Sequence, residues 1–419
     1  MKKTLFLALA WALAAAASAQ TISDSVWRAD VKTVLFYCEN AEQEMPVLTL
    51  GENRRMALQF DMLGDEPLHL RYTLFHCDAR WQRDDLQPYE FMTGFETGII
   101  EGYDFSFTTL VPYVHYHQTV PDRYANFLVS GNYILSVSLE DEPDSILFTR
   151  RFCVSEQGVG IKANLTKPYD GMSIDRRQEV DVKVESGEWK TTSVSLRPEY
   201  LQVLVQQNRR QDNARWLSFS GYDGTALCYR YRQENIFDGG NNFRFFDVSN
   251  LHSPMYNVQR IGQYGGETFA LLKPEEDRSR KHFNSETVLP GGMKVNVWDR
   301  TNKALEADYV WVNFSLPMPQ PFLDGSIHIV GALTDWQLDT LSRMDYRPDI
   351  KAYTKRLLLK QGYYSYQLLF LPVGKKEAET ARLEGNHRET PNVYTIFVYH
   401  RTPADRSDRL MGVQCVVAP

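Results

Sequence analysis

The histidines of this sequence are the first candidates for chemistry. His115 and His117 lie two residues apart, so both would project from one face of a strand. Imidazole binds zinc well, but a zinc site takes three or four ligands, and no third ligand follows at a suitable spacing. His76, Cys77 and Asp78 are adjacent, and neighbouring side chains of a strand point to opposite faces, so these three cannot converge on one atom. The spacings therefore favour ordinary packing over a metal site.

Other motifs that would indicate catalysis are lacking in the sequence. The glycine-rich run 238–242 is not followed by the Lys-Ser or Lys-Thr pair of a phosphate-binding loop, and it is typical of a turn between strands. No Gly-x-Ser-x-Gly elbow occurs, and no pair of carboxylates stands out among the 53 acidic residues. The sequence therefore predicts a protein that is not an enzyme and that binds no cofactor or metal.

The five cysteines are far apart and form no Cys-x-x-Cys pair; they are Cys38, Cys77, Cys153, Cys228 and Cys415. The first three lie in apolar segments, where a buried thiol behaves as a small hydrophobic side chain. A disulfide among Cys38, Cys77 and Cys153 is the alternative, and the sequence leaves it open.

Residues 1–19 have the pattern of a secretory signal peptide. Lys2 and Lys3 precede an apolar stretch, and the run 17–19 supplies the small residues that a signal peptidase requires. The stretch is too short to span a bilayer as a helix, and no cysteine follows it for a lipid anchor. We therefore expect cleavage before Gln20 and a mature chain in the periplasm or beyond it.

The charge pattern argues against two classes of partner. The net charge is −7 over 419 residues, and both signs are interspersed, so neither nucleic acid nor an anionic membrane surface is indicated. No apolar run of eighteen residues follows the predicted signal peptide, so we expect no direct membrane insertion.

Short segments rich in β-branched and aromatic residues alternate with turn-forming residues along the whole chain. In 56–62, apolar residues alternate with Gln59 and Asp61, which is typical of a strand with one face in water. Only 375–383 resembles a helix. This succession of short strand-like segments and turns predicts an all-β fold of tandem immunoglobulin-like β-sandwich domains. An outer-membrane barrel is the competing architecture, and the lack of regularly repeated strands of alternating polarity disfavours it.

Two boundaries divide the predicted fold. Segment 155–167 follows a strand and precedes Pro168, and Pro317, Pro319 and Pro321 stand at alternate positions, which a central strand does not allow. We therefore predict an N-terminal β-sandwich at 20–156, a second β-sandwich at 157–316 and a C-terminal immunoglobulin-like domain at 317–419.

The predicted C-terminal domain carries a limited likeness to glycan-binding modules. The strand-like segment 327–331 leads to Trp336, and the run 362–367 follows a Gly-x-Tyr-x-Tyr pattern. Together they resemble the immunoglobulin-like glycan-binding modules attached to starch-active enzymes. Trp336 and Tyr364 would then form a platform that stacks on sugar rings. The simpler interpretation is that both rings pack inside the sandwich, because large aromatic side chains dominate protein cores.

A series of motifs follows in a fixed order from about residue 27 to near the C-terminus. The motifs are His76-Cys77-Asp78-x-x-Trp81, Gly94-Phe95, Ser106-x-Thr108-Thr109, Tyr113-x-His115-Tyr116, Ser130-Gly131-Asn132-Tyr133, Arg150-Arg151-Phe152, Gln207-Asn208-x-Arg210-x-Asp212-Asn213-Ala214, Phe237-x-Gly239-Gly240-Asn241-x-Phe243-Arg244-x-Phe246-Asp247, Ala307-Asp308-Tyr309-Val310 and Glu384-Gly385-Asn386-His387. In these motifs the chain resembles the plug proteins of the type IX secretion system of Bacteroidota. Residues 117–120 depart from the family pattern because they contain no aromatic residue.

The resemblance implies a periplasmic subunit that binds the periplasmic mouth of the outer-membrane translocon barrel. It would close the channel when no cargo is present, and this protein partner would hold it at the inner face of the outer membrane. Loops rich in aromatic residues and arginine are favoured at interfaces, so the candidate contacts are Phe237, Asn241, Phe243 and Arg244. Packing within the second domain is the alternative for these four residues.

Two other functions stay open. An envelope glycan-binding accessory protein would use the region around Trp336. A secreted cargo of the same system would end in a sorting domain, and segment 412–419 lacks the glycine-rich, lysine-terminated pattern that we expect of one.

Overall fold

The computed structural model describes residues 23–169, 171, 173–186, 196–283, 285, 286 and 288–418. The predicted signal peptide at 1–19 lies outside the described residues. Strands make up 48% of the chain and helices 4%, which confirms the predicted all-β class. The immunoglobulin-like character of the sandwiches stays a prediction.

The strands of the described residues are short, and most of them pair with antiparallel neighbours. In chain order they are β1 (Ser25–Val26), β2 (Val31–Cys38), β3 (Val47–Thr49), β4 (Met56–Leu63), β5 (Leu70–Cys77), β6 (Met92–Thr93), β7 (Thr97–Ile100), β8 (Gly102–Phe105), β9 (Tyr113–Val120), β10 (Asn126–Phe127), β11 (Gly131–Leu139), β12 (Ile146–Ser155), β13 (Val159–Thr166), β14 (Arg177–Ser186), β15 (Leu201–Gln207), β16 (Arg215–Leu217), β17 (Gly221–Asp223), β18 (Ala226–Tyr229), β19 (Ile236–Asp238), β20 (Arg244–Asp247), β21 (Val258–Tyr264), β22 (Glu267–Leu272), β23 (Met293–Val295), β24 (Tyr309–Pro317), β25 (Gly325–Val330), β26 (Asp345–Arg347), β27 (Ala352–Lys360), β28 (Gly362–Pro372), β29 (Val393–His400) and β30 (Arg409–Val417).

The first twelve strands form the N-terminal sandwich. One sheet has the order β1-β12-β11-β5-β7, with β3 added to β12 in parallel, and a second has the order β2-β4-β9-β8. The short strands β6 and β10 make a separate ribbon. Side chains of both sheets, such as Phe60 and Tyr133, share one buried core. In β5 the buried positions alternate with partly exposed ones, which is the two-residue period of a strand with one covered face.

The middle sandwich combines strands that are far apart in the sequence. Its first sheet has the order β13-β14-β18-β17, with β19 on β14, and its second has the order β16-β15-β29-β30. β15 pairs with β29 from Leu201 opposite His400 to Gln207 opposite Tyr394. The C-terminal hairpin β29–β30 therefore completes this core, to which Val203, Ile396 and other side chains contribute.

The third sandwich lies between these parts of the chain in sequence. One sheet has the order β20-β28-β23, with β25 on β28, and the other has the order β21-β22-β24-β27-β26. Its core contains the buried rings of Phe246, Tyr364 and Tyr366 together with aliphatic residues of β24 and β25.

Helices are short in the described part of the chain. They are the α-helices α1 (Pro88–Phe91) and α2 (Lys303–Glu306) and the 3-10 turns Pro198–Tyr200, Gln233–Asn235 and Ala332–Thr334. The helix considered for 375–383 does not form. Instead, the backbones of Phe370 and Glu379 exchange two hydrogen bonds of 3.0 and 2.7 Å, which fold this segment back onto β28. None of the helices among the described residues is long and apolar enough to cross a membrane.

The strand pairings cross the domain boundary predicted at 316/317. β24 pairs with β27 up to Pro317, and the proline-bearing segment 317–321 leads from β24 to β25 of the same sandwich. From these pairings we propose a different division: an N-terminal sandwich that ends near residue 156, a middle sandwich closed by the C-terminal hairpin, and a third sandwich inserted between the strands of the middle one.

Candidate functional site

The four candidate partner contacts are buried in the chain itself. Phe237, Asn241, Phe243 and Arg244 are 1%, 4%, 4% and 6% exposed. Phe237 packs on Tyr394 with ring centroids 5.3 Å apart. As contacts of a partner these residues stay a prediction, and their burial favours the alternative, in which they pack within the chain.

Asn241 and Arg244 belong to a segment that carries the chain from the middle sandwich to the third. The returning segment, 384–392, lies beside it. The backbone N–H of His387 donates to the carbonyl of Gly240 at 2.9 Å, and the Asn241 side chain donates to the carbonyl of Glu384 at 2.8 Å. A Cβ atom on Gly239 would lie 2.2 Å from the carbonyl oxygen of His387, so only glycine fits there. The motif 237–247 and the motif 384–387 therefore form one structural unit.

A buried ion cluster holds this crossover in place; we call it the Glu384 junction, made of Glu384, Arg244 and Arg278. One carboxylate oxygen of Glu384 accepts from Nε of Arg244 at 2.9 Å and from the backbone N–H of Leu368 at 2.7 Å. The other oxygen accepts from Nε of Arg278 at 2.8 Å. Burial raises the pKa of Glu384, but the two guanidinium groups and these hydrogen bonds outweigh it and lower the pKa overall.

A second ion cluster joins the N-terminal sandwich to the third; we call it the Asp61 junction, made of Asp61, His115, Tyr309 and Lys360. The Asp61 carboxylate accepts from Nδ1 of His115 at 2.7 Å, from the Tyr309 hydroxyl at 2.5 Å and from Nζ of Lys360 at 2.6 Å. The side chains of Asp61 and Lys360 are each 1% exposed. Burial lowers the pKa of Lys360, and the attraction of Asp61 opposes this shift only in part.

The Asp61 junction corrects, at one position, the interpretation of β4 as a strand with one face in water. Asp61 lies on the face opposite Phe60 and is covered by the third sandwich, whereas Ala57, Gln59 and Leu63 of the same face are partly exposed. The sequence did point to this contact, because two residues of the motif 307–310, Asp308 and Tyr309, bond to the N-terminal sandwich. Asp308 accepts hydrogen bonds from the backbone N–H groups of Leu110 and Val111 at 2.7 and 3.1 Å.

The histidine and cysteine candidates take part in packing. His115 is engaged by Asp61, whereas His117 is half-exposed, with Nε2 3.4 Å from a carboxylate oxygen of Asp104. Among the described residues, no group of three or more His, Cys, Asp or Glu side chains is arranged to hold a metal. His76 contacts the Asp84 carboxylate through Nδ1, and burial raises the pKa of the Cys77 thiol to about 12. All five cysteines are free thiols in this structure.

The two residues of the candidate glycan platform lie in different environments. Tyr364 is 2% exposed and stacks on Phe246, with ring centroids 5.2 Å apart and the planes 15° from parallel. Trp336 is partly buried and meets Phe243 edge to face at 6.1 Å. The Tyr364 ring is therefore inside the third sandwich, whereas Trp336 remains the part of the platform that a ligand could reach.

Trp336 lines a cavity of about 180 Å³ where the three sandwiches meet. Arg150, which also lines it, donates from Nη2 to Asp335 at 2.8 Å, and the guanidinium of Arg151 lies 4.6 Å from the centroid of the Trp81 ring. Arg151 and Trp81 both belong to the N-terminal sandwich, whereas the motifs 150–152 and 307–310 contribute to contacts between this sandwich and the third.

The comparisons with known proteins agree with this arrangement. Residues 31–156 match the family model described as the first domain of the type 9 secretion system plug protein. The crystal structure of a hypothetical protein from Parabacteroides merdae superposes with a TM-score of 0.91 at 31% sequence identity, covering 95% of this chain and 100% of that one. No curated protein matches the chain significantly.

The matched family is a family of secretion-system plugs and not an enzyme family. Its name implies association with the type IX secretion system and a location in the cell envelope. The match covers the N-terminal sandwich, and the structural likeness extends over nearly the whole chain. The chain belongs to the family of type IX secretion system plug proteins.

Proposed function

We propose that the mature chain is a periplasmic plug that binds the periplasmic mouth of the type IX translocon barrel and closes the channel when no cargo is present. The observation that carries this proposal is the family match over 31–156. The predicted signal peptide at 1–19 supports export across the inner membrane.

The contacts between the sandwiches are compatible with such a role. A plug must resist deformation, because a body that bends would let solutes pass at its rim. The Asp61 junction fixes the third sandwich to the N-terminal one. The third sandwich is also joined to the middle one, since Nη2 of Arg210 donates to the Ala378 carbonyl at 2.6 Å and the Ala378 N–H donates to the Asp212 carboxylate at 2.9 Å. A third contact fixes the N-terminal sandwich to the middle one, since Glu156 accepts from Nε of Arg409 at 2.8 Å and from the Ser130 hydroxyl at 2.6 Å.

Size also supports the proposal. A compact chain of 419 residues has a radius of gyration of about 22 Å. A body of these dimensions is much larger than antibiotics and dyes. Its seating on the barrel would need a specific interface of at least about 1,000 Å² of total buried area.

Affinity purification from outer membranes tests the binding step. The chain, tagged at its C-terminus and expressed from its own locus, should co-purify with the translocon barrel after detergent extraction. In a strain without the barrel subunit, the same tagged chain should be recovered in the periplasmic fraction. Recovery of a fully soluble chain from both strains would contradict the proposal.

A further inference from the structure

Strand β8 carries a stripe of exposed aromatic residues on an open sheet edge. In the described part of the chain, β8 is the last strand of the sheet β2-β4-β9-β8 and pairs only with β9. Tyr103 and Phe105 are two residues apart, and their ring centroids lie 5.8 Å from each other. They are 44% and 51% exposed, and Phe107, two residues further on, is 46% exposed.

The position of this stripe explains its exposure. Tyr103 lies opposite Tyr116, which is fully buried in the N-terminal core, so the stripe continues the core-facing side of the sheet beyond the core. Leu110 follows at 58% exposure. Soluble proteins usually protect an edge strand with charges, a proline or a covering element. Asp104 is the one charge within β8, and a covering element begins only at Phe107, whose N–H donates to the carbonyl of Leu305 at 3.1 Å. Contiguous exposed apolar residues along such an edge are typical of an interaction surface.

The chemistry of β8 defines the segment that would fit it. An extended chain can add to an open edge through backbone hydrogen bonds, and its alternate side chains then meet those of the edge strand. Apolar side chains would cover the aromatic stripe. Asp104 is half-exposed on the other face. Glu101, two residues before Tyr103, is exposed just before the strand. Lysine or arginine side chains on the added segment would complement these carboxylates.

We propose that β8 is the docking edge of the plug, to which an extended segment of the translocon barrel, apolar on one face and basic on the other, adds as a further strand. This assignment rests on the proposed function. A second copy of the chain is a poorer occupant. In the antiparallel register that puts Tyr103 of one copy opposite Phe105 of the other, the two Asp104 carboxylates lie directly opposite each other, and like charges across a strand pair are destabilising.

Site-specific photo-crosslinking tests the assignment in cells. The photoreactive p-benzoylphenylalanine replaces Phe105 in the full-length tagged chain, and the control chain carries it in place of Tyr264, which is 84% exposed in the third sandwich. Irradiation should crosslink the chain to the barrel from position 105 and not from position 264. A crosslink from position 105 to a second copy, or none while the barrel still co-purifies, would overturn the docking edge and leave the proposed function intact.

Substitutions test the same edge quantitatively. Phe105→Ala combined with Phe107→Ala removes two aromatic anchors, so recovery of the barrel should fall by about tenfold or more. Tyr264→Ala combined with Leu323→Ala removes two exposed apolar side chains elsewhere and should leave recovery unchanged. An unchanged melting temperature excludes misfolding as the cause, and Asp104→Lys provides a second variant that should lower recovery by charge repulsion.

If both edge variants retain the barrel, the docking edge is wrong. If the unmodified chain never co-purifies with the barrel, the proposed function itself fails and the docking edge with it.

Discussion

The two junctions of the third sandwich differ in the cation that they bury. At the Glu384 junction, one carboxylate is shared by two arginines, and at the Asp61 junction the carboxylate faces a lysine. A guanidinium stays charged at every accessible pH, whereas a buried ammonium can lose its proton. If the carboxylate is removed, the two arginines of the Glu384 junction therefore stay charged, whereas Lys360 of the Asp61 junction can become neutral.

This difference matches the positions of the junctions in the chain. The Glu384 junction lies inside the third sandwich, where the segment that enters it at Arg244 meets the segment that leaves it at Glu384. The Asp61 junction joins two bodies that are separated by the middle sandwich in sequence. We infer that the crossover is the stiffer of the two contacts.

The largest expected effect comes from Glu384→Gln. The change leaves Arg278 without a buried counter-charge and Arg244 with Glu275 alone, so the free energy of unfolding should fall by about 3–5 kcal/mol. Urea denaturation followed by tryptophan fluorescence measures it. Glu389→Gln, at an exposed position of the same segment, should stay within about 0.5 kcal/mol of the unmodified chain. Equal midpoints for both variants would contradict the role of the junction.

Asp61→Asn should cost less, about 1–3 kcal/mol, because Lys360 can lose its proton once its counter-charge is removed. The double variant Asp61→Asn, Lys360→Met should recover part of this loss, since an apolar side chain needs no counter-charge. The same urea titration measures both. A loss as large as that of Glu384→Gln, or a double variant weaker than the single one, would show that the two junctions do not differ in this way.

Trp336→Ala should have a smaller effect, about 1–2 kcal/mol, because the indole is only partly buried. Tyr364→Ala is the matched comparison, and the loss of its fully buried ring should cost about 3–5 kcal/mol. Retention on an α-glucan column separates the remaining function. A stable Trp336→Ala chain that loses a retention shown by the unmodified chain would favour the glycan-binding accessory protein.

The smallest effect is the pH dependence of stability, which has opposite origins at the two junctions. The folded pKa of Glu384 lies below 4.5, so its stabilisation is present above pH 4.5 and is lost as the pH falls through the folded value. The folded pKa of Lys360 lies below 10.5, so the unfolded chain binds more protons in that window and stability rises with pH towards 10.5. Urea midpoints across this range should lose the alkaline rise in Lys360→Met and the acid loss in Glu384→Gln. Unchanged profiles in both variants would contradict these assignments.

The sequence predicted the all-β class because period-two patterns and turn residues are local signals, and β2 begins and ends where the pattern placed it. It did not predict the pairing of β15 with β29, because a contact between distant segments leaves no local pattern. Asp61 was misassigned for the same reason. A polar residue at an alternate position of a strand is predicted to be exposed to solvent, although another sandwich can cover it. Tyr103, Phe105 and Phe107 also alternate, but spacing alone does not reveal that their sheet ends there.

The permeability of the outer membrane tests the central claim most directly. Deleting the gene should leave the empty channel open, so that cells take up a large antibiotic or dye that is normally excluded. The uptake should fall back when the gene is restored, and it should vanish when the barrel subunit is deleted as well. Uptake that is unchanged by deletion of the gene, in cells that retain the barrel, would contradict the assignment of this chain as the plug.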